Sequence, residues 1–201
     1  KNLNLMKKMN INENTFKIIH FGSLGVANGA DSIINSARLL QNNNIDFLFI
    51  GGGSEEVSLI QMCKRYELKN VYFLGSFSSE LTSEIVNFCD ASIVSFLDIP
   101  ALYSNSPNKL FDALSAGKPI IVNSRGWTKD LVEKYSCGFY TNPNNANDLA
   151  DKIKKIMGDE SLINKMQIAS RNLAVSKFDK SILCNKVINI IDDVFSFDGE
   201  F

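Results

Sequence analysis

The sequence has little of what membrane-spanning, secreted or nucleic-acid-binding proteins require. None of its apolar runs approaches the roughly 18 residues that a membrane-spanning helix needs, and no secretory signal pattern opens it. Its 21 basic and 22 acidic side chains give a net charge of -1, so the charge does not favour nucleic acid as a partner. Hydrophobic residues make up 45% of the chain, which suffices for the core of an ordinary globular domain.

Cysteine and histidine are also scarce. The four cysteines stand far apart without a Cys-x-x-Cys pair, at Cys63, Cys89, Cys137 and Cys184. We therefore expect reduced thiols rather than a disulfide or zinc framework. His20 is the only histidine. A catalytic triad or a histidine-containing metal site would depend on it alone, so neither is favoured and no metal is expected.

Short apolar runs alternate with helical patterns along the chain. Six runs predict strands at 17–22, 46–51, 71–75, 91–96, 119–123 and 138–141. Helices are predicted near 29–42, 54–67, 79–89, 106–116, 127–136, 146–157, 159–174 and 179–196. This order predicts a single Rossmann-like α/β domain, a doubly wound parallel sheet of about six strands with extra C-terminal helices. Residues 1–15 show no clear period, so we expect a linker or a disordered end there.

The loops after the predicted strands are where such a sheet binds ligands. Three of them, at 22–29, 51–53 and 75–77, are rich in glycine or hydroxyl groups, and glycine lets backbone N–H groups approach an anion. The candidate donor contacts in these loops are Gly22, Ser23, Gly25, Gly52, Ser76 and Phe77. The alternative is that each loop is a simple turn, because none has the dinucleotide-binding or P-loop spacing.

A fourth loop begins a helix that carries two charged residues on one face. Ser106 is suited to be its N-cap and Pro107 its first residue. A diphosphate could lie at this N-terminus beside Lys109, and Asp112, about one turn further along, could accept hydrogen bonds from a ribose. The candidate contacts here are Ser106, Asn108, Lys109, Leu110 and Asp112. The alternative is a solvated Lys109–Asp112 surface pair.

The run SPNKLFDALSAGKP at 106–119 resembles the PSKLFEYLAAGKP stretch of family 4 glycosyltransferases, in the branch that builds bacterial surface polysaccharides. Further stretches fit in the same order: IHFGSLGVANG at 19–29, FIGGG at 49–53, FLGSF at 73–77 and CGFYTNP at 137–143. The resemblance implies the GT-B architecture, in which two Rossmann-like domains face each other across a cleft. It identifies residues 16–201 as the C-terminal, donor-binding domain, with the N-terminal acceptor domain absent.

The resemblance also implies an activity, a metal-independent, configuration-retaining sugar transfer. The donor would be a nucleoside-diphosphate sugar, UDP-linked in this branch, with no cofactor. We expect this chain alone to bind the donor without transferring sugar, because a closed cleft needs a second wall. In the parent fold the last helix crosses toward the N-terminal domain. Here we expect that helix to fold back on its own domain or to pair with another copy.

Some charged positions of the family are neutral here. Asp112 takes the position of the second acid of the Glu-x7-Glu motif, the ribose binder, while the first acid falls at Ser104. The basic pair of the first loop falls near Ser23 and Asn28, which are both neutral. We therefore expect Lys109 to be the main catalytic side chain that stabilises the departing diphosphate. Arg125 is the second candidate for that role.

Other classes of function remain alternatives. A binding or regulatory module of the same fold would hold the nucleotide sugar without transfer, and the neutral residue at Ser104 favours it. A nucleotide-sugar epimerase would need acids and histidines in the cleft, and an NAD-dependent dehydrogenase would need a Gly-x-Gly-x-x-Gly turn. The glycosyltransferase interpretation implies a cytoplasmic location. It allows peripheral association of the full-length enzyme with the inner face of the membrane.

Overall fold

The order of the strands in the sheet decides where a ligand can bind. The computed structural model describes residues 11–197, with side chains to residue 195. The strands are β1 (Phe16–Phe21), β2 (Ile45–Ile50), β3 (Val71–Phe73), β4 (Ala91–Val94), β5 (Ile120–Val122) and β6 (Gly138–Tyr140). They pair in the order β3-β2-β1-β4-β5-β6, and every pair is parallel. The predicted Rossmann-like, doubly wound parallel sheet is therefore confirmed.

Eight α-helices occur within the described residues, and the sequence predicts each to within three residues at either end. They are α1 (Asp31–Leu39), α2 (Glu56–Arg65), α3 (Ser79–Phe88), α4 (Asn108–Ser115), α5 (Trp127–Lys134), α6 (Ala146–Met157), α7 (Glu160–Lys177) and α8 (Lys180–Phe197). Short 3-10 turns follow β1 at Val26–Asn28 and β4 at Pro100–Leu102. The helices cover both faces of the sheet.

The strands are apolar throughout because both of their faces are covered. Successive side chains of a strand point to opposite faces, so Ile18 and Ile19 of β1 belong to different core layers. One layer, with Ile19, packs against residues of α3, α4 and α7. The other, with Ile18, packs against residues of α1, α2 and α6. All four cysteines are free, and only Cys184 is exposed.

The helix α4 begins later than the sequence predicts. Ser106 is the predicted N-cap and Pro107 the predicted first residue, but Pro107 occupies the cap position with an extended ψ of 127°. The carbonyl of Pro107 accepts the N–H of Leu110 at 3.0 Å, so the proline closes the first turn. As a result, Asn108 and Lys109 carry N–H groups that have no acceptor inside the helix.

Part of the expected linker belongs to the domain. Ile11 is only 4% exposed and lies in the core. The hydroxyl of Thr15 donates to Asp46 at 2.5 Å and to the carbonyl of Asn12 at 2.9 Å. The prediction of a linker or disordered end is therefore wrong for residues 11–15, which are held against the sheet. Residues 1–10 lie outside the described part of the chain.

The last helix, α8, does not fold back on the domain. Apart from Ile182, which is half-buried, its large apolar side chains within the described residues are exposed, namely Leu183, Val187, Ile188, Ile190, Ile191, Val194 and Phe195. The expectation that it folds back is therefore wrong for the side chains described, because its apolar face has no cover from α7 or the sheet. No helix within residues 11–197 combines the length and the apolar character needed to cross a membrane.

Pairing of α8 with a second copy remains a prediction. We expect the chain to associate with increasing concentration, because a second helix would remove the exposed apolar face from water. Sedimentation equilibrium measures this association. Ile190→Glu is expected to abolish it, whereas the control Asn189→Glu, on the polar side of the helix that also carries Asn185 and Asp192, is expected to leave it intact. A chain that stays monomeric at every concentration contradicts the prediction.

Candidate functional site

Two adjoining cavities open at the carboxyl ends of β1, β2 and β3. The larger, of about 450 Å³, lies between α3 and α4, and the smaller, of about 350 Å³, lies over the strand ends. Phe21, Phe77 and Thr82 line both cavities, so together the cavities form one groove, which we call the strand-end groove. Its size is typical of a small-molecule site, and its position is the one at which such sheets bind ligands.

Six of the residues selected from the sequence line the strand-end groove: Gly22, Ser23, Gly52, Ser76, Phe77 and Asp112. Sequence reasoning missed the contribution of α3. Its residues in the groove are Ser79, Thr82, Ser83, Val86 and Asn87. These positions recur at helical spacing and are mostly hydroxyl- or amide-bearing, so a polar stripe on this helix was a usable signal.

The helix α4 is fixed from several sides, so its charged residues have defined positions. The ring of Phe111 stacks with that of Trp127 at 6.1 Å and meets the edge of Phe178 at 4.9 Å. At the other end, the guanidinium of Arg171 on α7 donates to the carbonyl of Ser115 at 2.6 Å. Both contacts hold α4 against the domain while it forms one wall of the groove.

Leu110, another predicted contact, presents neither its side chain nor its N–H to the groove. Its side chain is fully buried, because it faces the core as part of the apolar side of α4. Its N–H already donates to Pro107, so neither group is directed at a ligand. Ser106 and Asn108, by contrast, are exposed at the start of the helix.

The ammonium of Lys109 has no countercharge among the described residues and lies beside Gly22, a lining residue of the groove, although Lys109 itself lines neither cavity. It donates to the Oδ1 atom of Asn28 at 2.9 Å and approaches Gly22, where a Cβ atom would lie 3.7 Å from Nζ. Burial lowers the pKa of Lys109 to about 8. Within the described chain Lys109 has no carboxylate partner, and the alternative of a Lys109–Asp112 surface pair does not form.

Asp112 faces the larger cavity from the next turn of α4. Its carboxylate is open to solvent on the groove side, and the protein atoms around it raise its pKa by desolvation. Asp112 therefore lines the larger cavity, whereas Lys109 lies next to Gly22 of the smaller one. A ligand with an anionic part and a hydroxyl-bearing part would match this separation of charge.

Glycine turns bring the backbone to the groove. Gly22 and Gly51 adopt φ values of +106° and +116°, a region that glycine tolerates and other residues avoid. A Cβ atom at Gly51 would lie 1.9 Å from the carbonyl oxygen of Gly22. The turns after β1 and β2 therefore touch each other, and only glycine at position 51 allows that approach.

His20, the only histidine, is buried in β1 near the groove and is 2% exposed. Burial, and next the charge of Lys109, lower the pKa of His20 to about 3. It is therefore neutral at physiological pH and unsuited to act as a general acid. No group of three or more possible metal ligands occurs among the described residues.

The remaining predicted residues lie beside the groove. Gly25 accepts the backbone N–H of Asn28 at 3.0 Å and begins the 3-10 turn after β1. Arg125 follows β5 and lines neither cavity. Its Nη2 atom lies 3.2 Å from the Oδ2 atom of Asp98, so the structure gives it an acidic partner rather than a place next to Lys109.

Comparison with known proteins identifies relatives. A curated relative is the N,N'-diacetylbacillosaminyl-diphospho-undecaprenol alpha-1,3-N-acetylgalactosaminyltransferase of Campylobacter jejuni, which is 25% identical over 83% of this chain and 42% of its own length. An uncharacterised glycosyltransferase of Methanocaldococcus jannaschii is 20% identical over 78% of this chain and 40% of its own length. The chain thus spans about two fifths of these relatives.

The fold comparison agrees. The structure of Anabaena HepE in complex with UDP superposes with a TM-score of 0.81 at 21% identity, covering 94% of this chain and 52% of HepE. The family model described as "Glycosyl transferases group 1" matches residues 2–173. The resemblance found in the sequence is therefore confirmed, and the chain belongs to the glycosyl transferases group 1 family.

Proposed function

We propose that this chain is the nucleotide-sugar-binding domain of a retaining glycosyltransferase of bacterial polysaccharide or glycan biosynthesis, with a UDP-linked donor. The observation that carries the proposal is the ammonium of Lys109, partly buried beside the glycine turn with a neutral oxygen as its partner. A buried cation without a countercharge is costly. An anionic ligand at this place would remove that cost.

In this assignment the diphosphate lies at the start of α4. It receives the charge of Lys109 and the N–H groups of Asn108 and Lys109, which the helix leaves without acceptors. Because negative charge builds up on the diphosphate as the bond to the sugar breaks, these donors would favour the transition state over the bound donor. The side chain of Lys109 thus supplies leaving-group stabilisation from within the chain.

The direct test is a calorimetric titration of UDP into the chain, compared with CMP and with inorganic phosphate. We expect UDP to bind with detectable heat and to compete with UDP-sugars. We expect phosphate alone to bind much more weakly, because it reaches only the Lys109 end of the groove. Absence of binding by UDP and by every nucleoside diphosphate would remove the proposed function.

Asp112 is proposed to bind the ribose hydroxyls from the larger cavity. Asp112→Ala is expected to weaken UDP binding by about 1.5–3 kcal/mol, the range for a hydrogen bond to a charged group. The loss should be smaller for 2′-deoxy-UDP, since one partner of the carboxylate is then already absent. Equal losses of affinity for the two nucleotides would show that Asp112 does not bind the ribose hydroxyl.

The affinity for UDP is expected to depend on pH through Lys109. The charged form binds the diphosphate, and the pKa of the free side chain is about 8. Affinity should therefore hold up to neutral pH and fall as pH rises through 8, approaching about tenfold per pH unit. Lys109→Arg keeps its charge over this range, so its UDP affinity should stay level. The same fall in both proteins would assign the titration to another group.

A further inference from the structure

The amine of Lys109 is held differently from those of two other lysines that are withdrawn from solvent. Nζ of Lys17 donates to two backbone carbonyls at 3.1 and 2.7 Å, and Nζ of Lys118 donates to two at 2.8 and 2.6 Å. Nζ of Lys109 has one acceptor among the described residues, the Oδ1 atom of Asn28 at 2.9 Å. Hydrogen bonds to oxygen favour the charged form of a lysine, so one opposes loss of the proton less than two do. A neutral amine at Lys109 can donate one N–H to Asn28 and keep its lone pair free.

The groups around Lys109 do little to keep its amine protonated. Asp112 makes no ion pair with it, and the nearby His20 of β1 is neutral at physiological pH. The centroid of the Phe96 ring lies 5.6 Å from Nζ, at the outer limit for a cation–π attraction. Burial lowers the pKa of Lys109 to about 8. About a tenth of the amine is therefore neutral at pH 7, against less than about a thousandth for an ordinary lysine.

The amine lies next to the wall of the smaller cavity. Gly22 lines that cavity, and a Cβ atom placed on Gly22 would lie 3.4 Å from Cε and 3.7 Å from Nζ of Lys109. Glycine at position 22 therefore leaves room beside the amine that a side chain would fill. Lys109 is half-buried, whereas Lys17 and Lys118 are only 4% and 7% exposed. A small reagent thus has better access to Lys109 than to the other two amines.

The start of α4 adds an attraction for anions at the same residue. The N–H groups of Asn108 and Lys109 have no acceptor inside the helix, and the positive end of the helix dipole lies there. An acyl phosphate carries a phosphate group directly beside a reactive carbonyl carbon. With its phosphate at these N–H groups, its carbonyl carbon comes within reach of the Lys109 amine.

We propose that Lys109 is a site of N-acylation by acyl phosphates, a modification separate from sugar transfer. The lone pair of the neutral amine attacks the acyl carbon, the N–C bond forms, and the C–O bond to the phosphate breaks. Phosphate leaves with the electron pair of that bond, and the amine loses a proton to solvent. The product is an uncharged amide. If the proposed function holds, this amide no longer neutralises the diphosphate, and acylation weakens donor binding.

The test incubates the chain with acetyl phosphate and follows acetylation of single lysines by peptide mass spectrometry. At pH 8 we expect Lys109 to react at least about fivefold faster than Lys165, an exposed lysine on α7, because more of its amine is neutral. The rate at Lys109 should level off above pH 8. The rate of free Nα-acetyllysine in the same solution should keep rising toward the ordinary pKa of about 10.4.

Asn28→Asp provides a second measurement on a protein of nearly the same shape. A carboxylate at position 28 would pair with the ammonium and raise the pKa of Lys109. Acetylation of Lys109 at pH 8 should therefore slow at least about fivefold, while the rate at Lys165 stays the same. Asn42→Asp, in the exposed turn before β2, makes the same change of charge away from Lys109 and is the matched control.

The outcomes separate this proposal from the proposed function. Selective acetylation of Lys109 that levels off near pH 8 and slows in Asn28→Asp supports the proposal. A Lys109 that reacts no faster than Lys165, or equally fast in wild type and Asn28→Asp, overturns it, and the UDP titration of the unmodified chain still decides the proposed function. Selective acetylation in a chain that binds no nucleoside diphosphate supports the modification site and removes the proposed function.

Discussion

Lys109→Ala is expected to weaken UDP binding about 10- to 150-fold, which corresponds to roughly 1.5–3 kcal/mol. The reason is that Lys109 is the cation at the junction of α4 and the glycine turn after β1, and its hydrogen-bond partner there is the neutral Asn28. Calorimetric titration measures the loss. The domain is expected to stay folded, because removal of the ammonium also removes the cost of burying a charge.

Lys165→Ala is the matched control for this experiment. Lys165 is exposed on α7, so its removal changes the net charge of the protein equally without touching the groove. Its UDP affinity should remain close to that of wild type. If wild type, Lys109→Ala and Asp112→Ala all bind UDP with the same affinity, then α4 does not form part of the binding site. The donor assignment would then rest on the fold alone.

Gly51→Ala is expected to lower the free energy of unfolding by about 3 kcal/mol or more. Two penalties combine at this residue. Alanine would have to adopt a φ of +116°, and its Cβ atom would lie 1.9 Å from the carbonyl oxygen of Gly22. Urea unfolding followed by circular dichroism gives the free energy. The folded fraction should also bind UDP more weakly, because the turn at Gly22 is pushed from its place beside Lys109.

Gly75→Ala separates the two penalties. Gly75 also has a positive φ, of +77°, but no atom lies within 4 Å of a Cβ placed there. Gly75→Ala should therefore lower the free energy of unfolding only by the conformational cost of a positive φ, about 1–2 kcal/mol. A Gly51→Ala protein that is no less stable than Gly75→Ala would show that the two glycine turns can separate freely, and that their contact does not shape the groove.

The strands could be predicted because a strand that is buried on both faces shows as a short run of consecutive apolar residues in the sequence. β2 is an unbroken apolar run except for Asp46, as expected when helices cover both faces of a sheet. The ends of strands are harder to predict. The sequence pattern of β3 extends to Gly75 but the strand stops at Phe73, although the N–H of Leu74 still donates to Phe49. Local pattern therefore predicts that a strand exists better than it predicts where the ladder ends.

The site could be predicted only for those residues whose positions follow from their near neighbours in the sequence. The glycine turns and the acid on α4 are found from the sequence, because each follows a predicted strand or lies one helical turn from Lys109. The direction of the Lys109 side chain cannot be found from the sequence in this way. It turns to Asn28, 81 residues away along the chain, and no spacing within 106–119 reveals that contact. For α8 the sequence left two arrangements open, folding back on the domain or pairing with another copy, because packing between distant segments decides between them.

The proposed donor site joins two segments of the chain, and this has a consequence for when a nucleotide could bind during synthesis. The glycine turns at Gly22 and Gly51 belong to the first three strands, whereas Lys109 and Asp112 follow β4. A ribosome releases residues in chain order at about 5–20 per second. A nascent chain that has exposed only the first three strands thus holds the turns without either charged side chain. If Lys109 and Asp112 bind the nucleotide as proposed, its stabilising effect begins only once α4 has emerged, and the donor does not assist the folding of the first half of the sheet.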